Sequence, residues 1–223
     1  KAQLSEEDIA AIDFAKYDAA AAAVLALIGE PQGEPAPTAL SEVYVDPANG
    51  DDANTGDSAE NAVKTINKAV SLVQLNGTIY LTGTYSLENV AIAGNFTIKP
   101  ATTFSGSNLI EVTGGIVDLD CVTIDGASKT GISNLINVKG GASLTLKSIN
   151  IKNGAGQHAM YIRGSSANAK TTVTLESGSI SNNKSSQAGT VYVGNYADFV
   201  MNGGSISNNT AGEGGGVTMS GVS

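Results

Sequence analysis

Tryptophan is absent from this chain, and cysteine and histidine each occur once. The lone Cys121 excludes an internal disulfide framework. Arg163 is the only arginine, so a basic stripe for nucleic acid is excluded as well. Aromatic residues make up 5% of the chain, which leaves Val, Ile, Leu and Ala to build any core. Charged residues are only 15%, too few to clothe many helices in solvent. Long apolar runs are missing too. The longest, Ala19–Ile28, is ten residues, short of a bilayer span. Asp13 and Asp18 precede it where a signal peptide would carry bases.

What the chain has in quantity is glycine, 27 residues in 223, the mark of many tight turns. Its net charge of −9 is uneven. Residues 1–60 hold 13 acids against 2 bases, and residues 61–223 hold 8 acids against 10 bases. The acidity therefore belongs to the N-terminal part.

The later part repeats itself. Leu144-Thr-Leu-Lys-Ser-Ile149-Asn-Ile-Lys-Asn153 has echoes that start at Val117, Val173 and Phe199. Taken at Leu119, Leu146, Leu175 and Met201, the spacings are 27, 29 and 26 residues, a period that implies stacked coils. A second strand series runs through Leu109–Val112, Leu135–Val138, Met160–Ile162, Val191–Val193 and Val217–Met219. Alternate residues are apolar in both series and are expected to fill a lumen. Glycine turns fall between them, at Gly114-Gly115, Gly140-Gly141 and Gly203-Gly204.

Upstream, residues 5–28 have the signals of a helix. Ser5 offers an N-cap, Glu6, Glu7 and Asp8 suit the first turn, and Gly29 suits the stop. Pro31, Pro35 and Pro37 then mark an extended linker. Val43–Val45 reads as a strand and residues 46–58 as an Asp/Asn/Gly loop. A helix is expected over about 58–74, with Asp57 as N-cap, Glu60 at the capping-box position, and an apolar stripe of Val63, Ile66, Ala69, Val70 and Val73. Asn76-Gly77 is expected to end it before a strand at Ile79–Leu81.

That order and wording, from Val43 through the Asp-rich loop and the Val63–Val70 helix to Gly77–Leu81, resembles the N-terminal cap of right-handed parallel β-helix proteins, the pectate-lyase-like superfamily. In that family the helix plugs the open end of the coil, where apolar lumen and strand edges would otherwise be bare. The segment Met201-Asn-Gly-Gly-Ser-Ile-Ser-Asn-Asn-Thr-Ala-Gly-Glu-Gly-Gly-Gly-Val217 is similar to the repeats of bacterial adhesin-like surface proteins, the polymorphic membrane proteins among them.

Stacking the echoes in register places Asp120, Lys147 and Glu176 in one column and Asp125 with Lys152 in another. Opposite charges on neighbouring strands attract where like charges repel. Thr123, Asn150, Ser179 and Ser205 form a third column, and Asn153, Asn182 and Asn208 are expected to form an amide ladder. These polar residues read as structural.

Catalytic constellations are thin. Asp118 and Asp120 share a face, but Thr145 and Lys147 follow there on the next coil. A hydrolase of this superfamily needs carboxylates grouped together, and a calcium-dependent lyase needs an acidic cluster beside a base. Lys147 and Lys152 are candidate bases that already have column partners, and His158 reads as a surface or turn residue. The one metal candidate is the loop with Asp46, Asp51, Asp52 and Asp57, whose oxygens suit calcium but whose spacing is not that of an EF-hand. The competing reading is a set of Asx turns, and it is preferred.

The expectation is an all-β chain: a right-handed parallel β-helix over 41–223 with an N-terminal amphipathic capping helix, preceded by a short helical appendage and Pro-rich linker over 1–40. Gly215–Met219 opens a further coil, so the array is expected to be the N-terminal part of a longer one. No catalytic residue and no cofactor is assigned. The expected function is a non-catalytic stalk or adhesin-like region of a bacterial cell-surface or secreted protein, extracellular, binding a host glycan or protein or a polysaccharide. The alternative is a lyase or glycoside hydrolase acting on acidic polysaccharide. A third reading is a tailspike-like or trimeric fibre.

Overall fold

A computed structural model describes residues 39–221. The helix expected over 5–28 and the Pro-rich linker lie outside the described residues. Those that are described belong to one compact unit, Ala39–Ser223. They form a parallel β-solenoid of about five turns.

The elements are β1 (Leu40–Val45), α1 (Ile66–Leu72), β2 (Val73–Leu81), β3 (Tyr85–Pro100), β4 (Asn108–Asp125), β5 (Asn134–Val138), β6 (Ser143–Lys147), β7 (Ile149–Lys152), β8 (His158–Ile162), β9 (Thr171–Leu175), β10 (Gly178–Ser181), β11 (Val191–Val193), β12 (Ala197–Met201), β13 (Ser205–Ser207) and β14 (Val217–Met219). Every strand pairing is parallel, and each coil shows three sides. Side A stacks β5, β8, β11 and β14 on the start of β4. Side B stacks β6, β9 and β12 on the middle of β4. Side C stacks β7, β10 and β13 on its end.

Alternation decides what goes inside. Leu119, Leu146 and Leu175 share a register column on side B, and Ile124, Ile151 and Ile180 one on side C; all are fully buried. Val112, Val138, Ile162 and Val193 do the same on side A. The columns of sides B and A continue through Met201 and Met219, which are exposed on the last described coil.

The stretch from Leu144 to Asn153 proves to be two strands. Ser148, at φ 48°, turns the chain from side B to side C in a single left-handed residue, as Cys121 does one coil earlier at φ 58°. One coil later Gly178 sits just past the corner at φ 107°, where an added Cβ would collide with the Ile149 backbone. Only glycine fits there.

The helix is shorter than its apolar stripe implies. It runs Ile66–Leu72, its N-cap is Thr65, and Ile66, Ala69 and Leu72 are its buried residues. Asp57 and Glu60 therefore do not cap it. Sheet pairing claims the backbone ahead of it: Val63 bridges Val45 in parallel, its N–H reaches Tyr44 O at 3.0 Å, and its carbonyl accepts from Asp46 N at 2.9 Å. Val63 is thus buried as sheet, not as helix. The end differs too, since the C-cap is Val73 and Asn76 lies inside β2 at φ 62°.

The expected asparagine ladder is displaced by one residue. Asn153, Asn182 and Asn208 sit at φ 56°, 58° and 57°, a left-handed corner that asparagine tolerates better than most residues. The amide ladder belongs to their successors. Asn183 Nδ2 donates to Asn209 Oδ1 at 3.1 Å and to Ile151 O at 3.1 Å, while Asn183 Oδ1 accepts from Gly154 N at 2.9 Å. The charge columns have the expected register, Asp120 on Lys147 and Asp125 on Lys152. The ion pairs among the described residues are different ones, however: Lys99–Asp125 at 3.9 Å and Lys139–Glu111 at 2.9 Å. Asp125 also takes Asn153 Nδ2 and Ala127 N, each at 2.9 Å, so its oxygens are occupied from sides other than Lys152.

Ile149→Asp, which puts an unpaired carboxylate into the lumen, is expected to abolish soluble folding, read by expression and circular dichroism. Asn183→Ala strands Gly154 N and Ile151 O and is expected to cost about 3 kcal/mol in urea unfolding.

Candidate functional site

The Asp-rich loop that follows β1 is held by its own carboxylates. Asp46 Oδ1 accepts from Ala48 N and Asn49 N, each at 2.9 Å, and Asp51 Oδ1 from Ala53 N at 2.9 Å. Asp52 bridges to the helix start, taking Lys64 N at 2.9 Å, Thr65 N at 2.8 Å and the Thr65 hydroxyl at 2.7 Å. Asp57 accepts from Thr55 Oγ1 and Asn61 Nδ2. Burial alone would raise the Asp46 and Asp52 carboxyls, but these donors outweigh it and hold both below the usual carboxylate range. The four carboxylates serve separate turns. Among the described residues no group of three or more His, Cys, Asp or Glu is placed to hold a metal ion.

Outward residues of side A form a register column of Glu111, Asn137, Tyr161, Tyr192 and Thr218. Glu111 is tied down by Lys139 Nζ at 2.9 Å and Asn108 Nδ2 at 2.8 Å. Burial pushes its carboxyl up, and the Lys139 ammonium and the amides more than reverse that. Tyr161 and Tyr192 stack with centroids 5.1 Å apart and planes 3° apart. Their faces cover each other. Beside them a hollow of about 130 Å³ is lined by Arg163, Gly194, Asn195 and Ser220.

His158 lies behind the tyrosines, which corrects its reading as a surface residue. It is buried in the column above Asn134, its Nδ1 is 2.9 Å from Gly189 O, and its ring is 5.1 Å from that of Tyr192. Burial lowers its pKa from 6.5, partly offset by the Gly189 carbonyl. It continues the register column of Asn108 and Asn134, in which Asn134 Nδ2 donates to Asn108 Oδ1 at 2.8 Å.

Another concavity follows the corner between sides B and C, about 180 Å³ lined by Asn76, Asn95, Phe96, Thr97, Cys121, Thr123, Ser148 and Asn150. Thr97, Thr123, Asn150, Ser179 and Ser205 form one outward column there, and Ser179 Oγ donates to Asn150 Oδ1 at 3.0 Å. Asp118 and Asp120 point outward on side B. Their register neighbours are Ala91 and Ala93 on one coil and Thr145 and Lys147 on the next, so no second carboxylate faces them from those positions.

Sequence alone missed the tyrosine stack and the corner groove. The signal for the first was present: Tyr161 and Tyr192 hold the same place in Met160-Tyr-Ile162 and Val191-Tyr-Val193. The groove depends on single-residue corners, which apolar periodicity does not reveal.

The fold places the chain in the class of parallel β-solenoids. Comparison with protein-family models, with curated proteins and with solved structures returned no match. No described helix is long and apolar enough to cross a membrane.

Asp52→Ala removes three bonds that fasten the loop to the helix start and is expected to lower stability at neutral pH by about 1 kcal/mol. Because the folded-state pKa is depressed, this contribution is complete above the ordinary value of 3.8 and is lost as pH falls through the folded pKa, so the variant and the native protein should converge in acid melts. His158, likewise depressed, stabilises fully above 6.5 and loses that contribution as pH falls through its folded pKa. His158→Asn should flatten the stability profile below pH 6.5.

Proposed function

We propose that this solenoid is a non-catalytic binding wall, an adhesin-like region of a bacterial cell-surface or secreted protein that acts outside the cell and takes polysaccharide or host-surface ligands. The observation that carries this reading is the register of the outward columns. Hydroxyl, amide and aromatic side chains recur at the strand spacing over successive coils, as in Thr97–Thr123–Asn150–Ser179–Ser205. Interior strands are paired on both edges, so their backbone donors and acceptors are already used. A ligand lying along the wall therefore meets side chains only. Repetition along one axis gives a long surface of this kind rather than a single deep cleft.

The same reading takes the coil as right-handed, the hand that parallel crossovers adopt. It gives α1 the role of plug at the first coil, where Ile66, Ala69 and Leu72 turn inward. It divides the chain into an appendage and linker over 1–40 and the solenoid over 41–223. The likeness of the cap to the pectate-lyase-like superfamily and of the last coils to adhesin repeats supports it, and fold alone does not settle activity.

The full 223-residue chain is expected to release no unsaturated product from polygalacturonate, with or without added calcium, and to be retained by glycans on an array. Product release would establish the lyase reading in its place, and failure to bind any glycan or host-surface protein would remove the binding role.

A further inference from the structure

We propose that the groove at the corner of sides B and C is a subsite for an uncharged sugar chain, an inference that rests on the binding-wall reading and names its ligand class. The groove crosses several coils, because Thr97, Thr123 and Asn150 stand in register and Cys121 and Ser148 turn the chain beside them. Its polar atoms are largely unclaimed. The side chains of Asn76, Asn95, Thr97 and Thr123 make no hydrogen bond among the described residues, although donors and acceptors stand at the coil spacing. Hydroxyls and amides both donate and accept, as sugar hydroxyls do.

Asn95 and Phe96 are shared with a second hollow of about 200 Å³, whose walls are Val70, Val73 and Leu75. Leu75 is 70% exposed, an apolar side chain held in the open beside the polar row. Apolar surface with a few placed polar groups is what a sugar ring needs, one face for its C–H groups and an edge for its hydroxyls. Charge decides against an acidic chain. No charged residue of either sign lines either hollow, and Asp120 beside Cys121 is matched by Lys147, in register with it beside Ser148. A uronate or sulfated sugar would find no cation in the lining, whereas an uncharged chain needs none. A peptide strand would find no free backbone edge to extend, since β3, β4 and β7 pair with neighbours on both sides.

The test is an array of neutral and acidic glycans probed with the full chain, with Thr123→Lys, and with Ser166→Lys in the exposed loop between sides A and B. The expected result is retention on neutral glycans, weakened about tenfold by Thr123→Lys and unchanged by Ser166→Lys, with thermal melts showing both variants folded. Saturation-transfer NMR on a retained neutral oligosaccharide should then show its ring protons against the Leu75 methyls. Retention on acidic glycans alone, or neutral binding untouched by Thr123→Lys, overturns the subsite and leaves the binding wall standing. Retention on no glycan of either charge overturns the subsite and removes glycans from the wall's ligands.

Discussion

Everything in this molecule depends on parallel backbone pairing between one coil and the next. Along a strand in the stack the residues alternate, one bonding through its N–H and carbonyl to one neighbour and the next to the other, so no coil is complete without both. The pairing sets side chains in columns, and each column must then agree with itself. Apolar residues agree by filling the lumen, as in the run of Leu119, Leu146 and Leu175. Polar residues agree by bonding along the axis, as Asn183 does with Asn209. A residue is thus judged twice, by its place in the strand and by what lies above and below it.

This double constraint explains why so little charge is present and where it goes. An aspartate in the loop after β1 finds backbone N–H groups within two or three residues, and Asp46 and Asp51 do so. On a wall, a charge must find its partner on a neighbouring coil or be left to water. Glu111 has Lys139 and two amides, whereas Asp120 has Lys147 in register without a closed ion pair. Exposed pairs with long side chains gain little from closing.

Repetition made the architecture legible, because the period and the alternation of apolar residues are properties of the chain itself. Registers taken from Leu119, Leu146 and Leu175 agree with the pairings of side B. What was not legible is what sequence periodicity does not encode. Val63 fits a helical stripe and a strand bridge equally well, and the competition was decided by Val45 and Tyr44, nearly twenty residues away. Asn153 and Asn183 carry the same side chain, and only the backbone angle tells which one turns a corner and which one joins the amide ladder. His158 is buried because Asn134 precedes it in its column and the Tyr192 ring lies over it, neither of them near in sequence.

From β4 onward the corner between sides B and C is the one place where the coils do not differ in length; one coil earlier β3 takes a residue more there, four from Ile92 to Phe96 against three from Leu119 to Val122. From Leu119 to Val122, from Leu146 to Ile149, from Leu175 to Gly178 and from Met201 to Gly204 the step is always three residues, while the repeat itself varies between 26 and 29. Length changes are absorbed at the other two corners. From β4 onward the B–C corner therefore works as a ruler, with graduations about 4.8 Å apart. A polymer laid along it would find the same distance between contacts at every coil, and loops elsewhere could change without altering that scale.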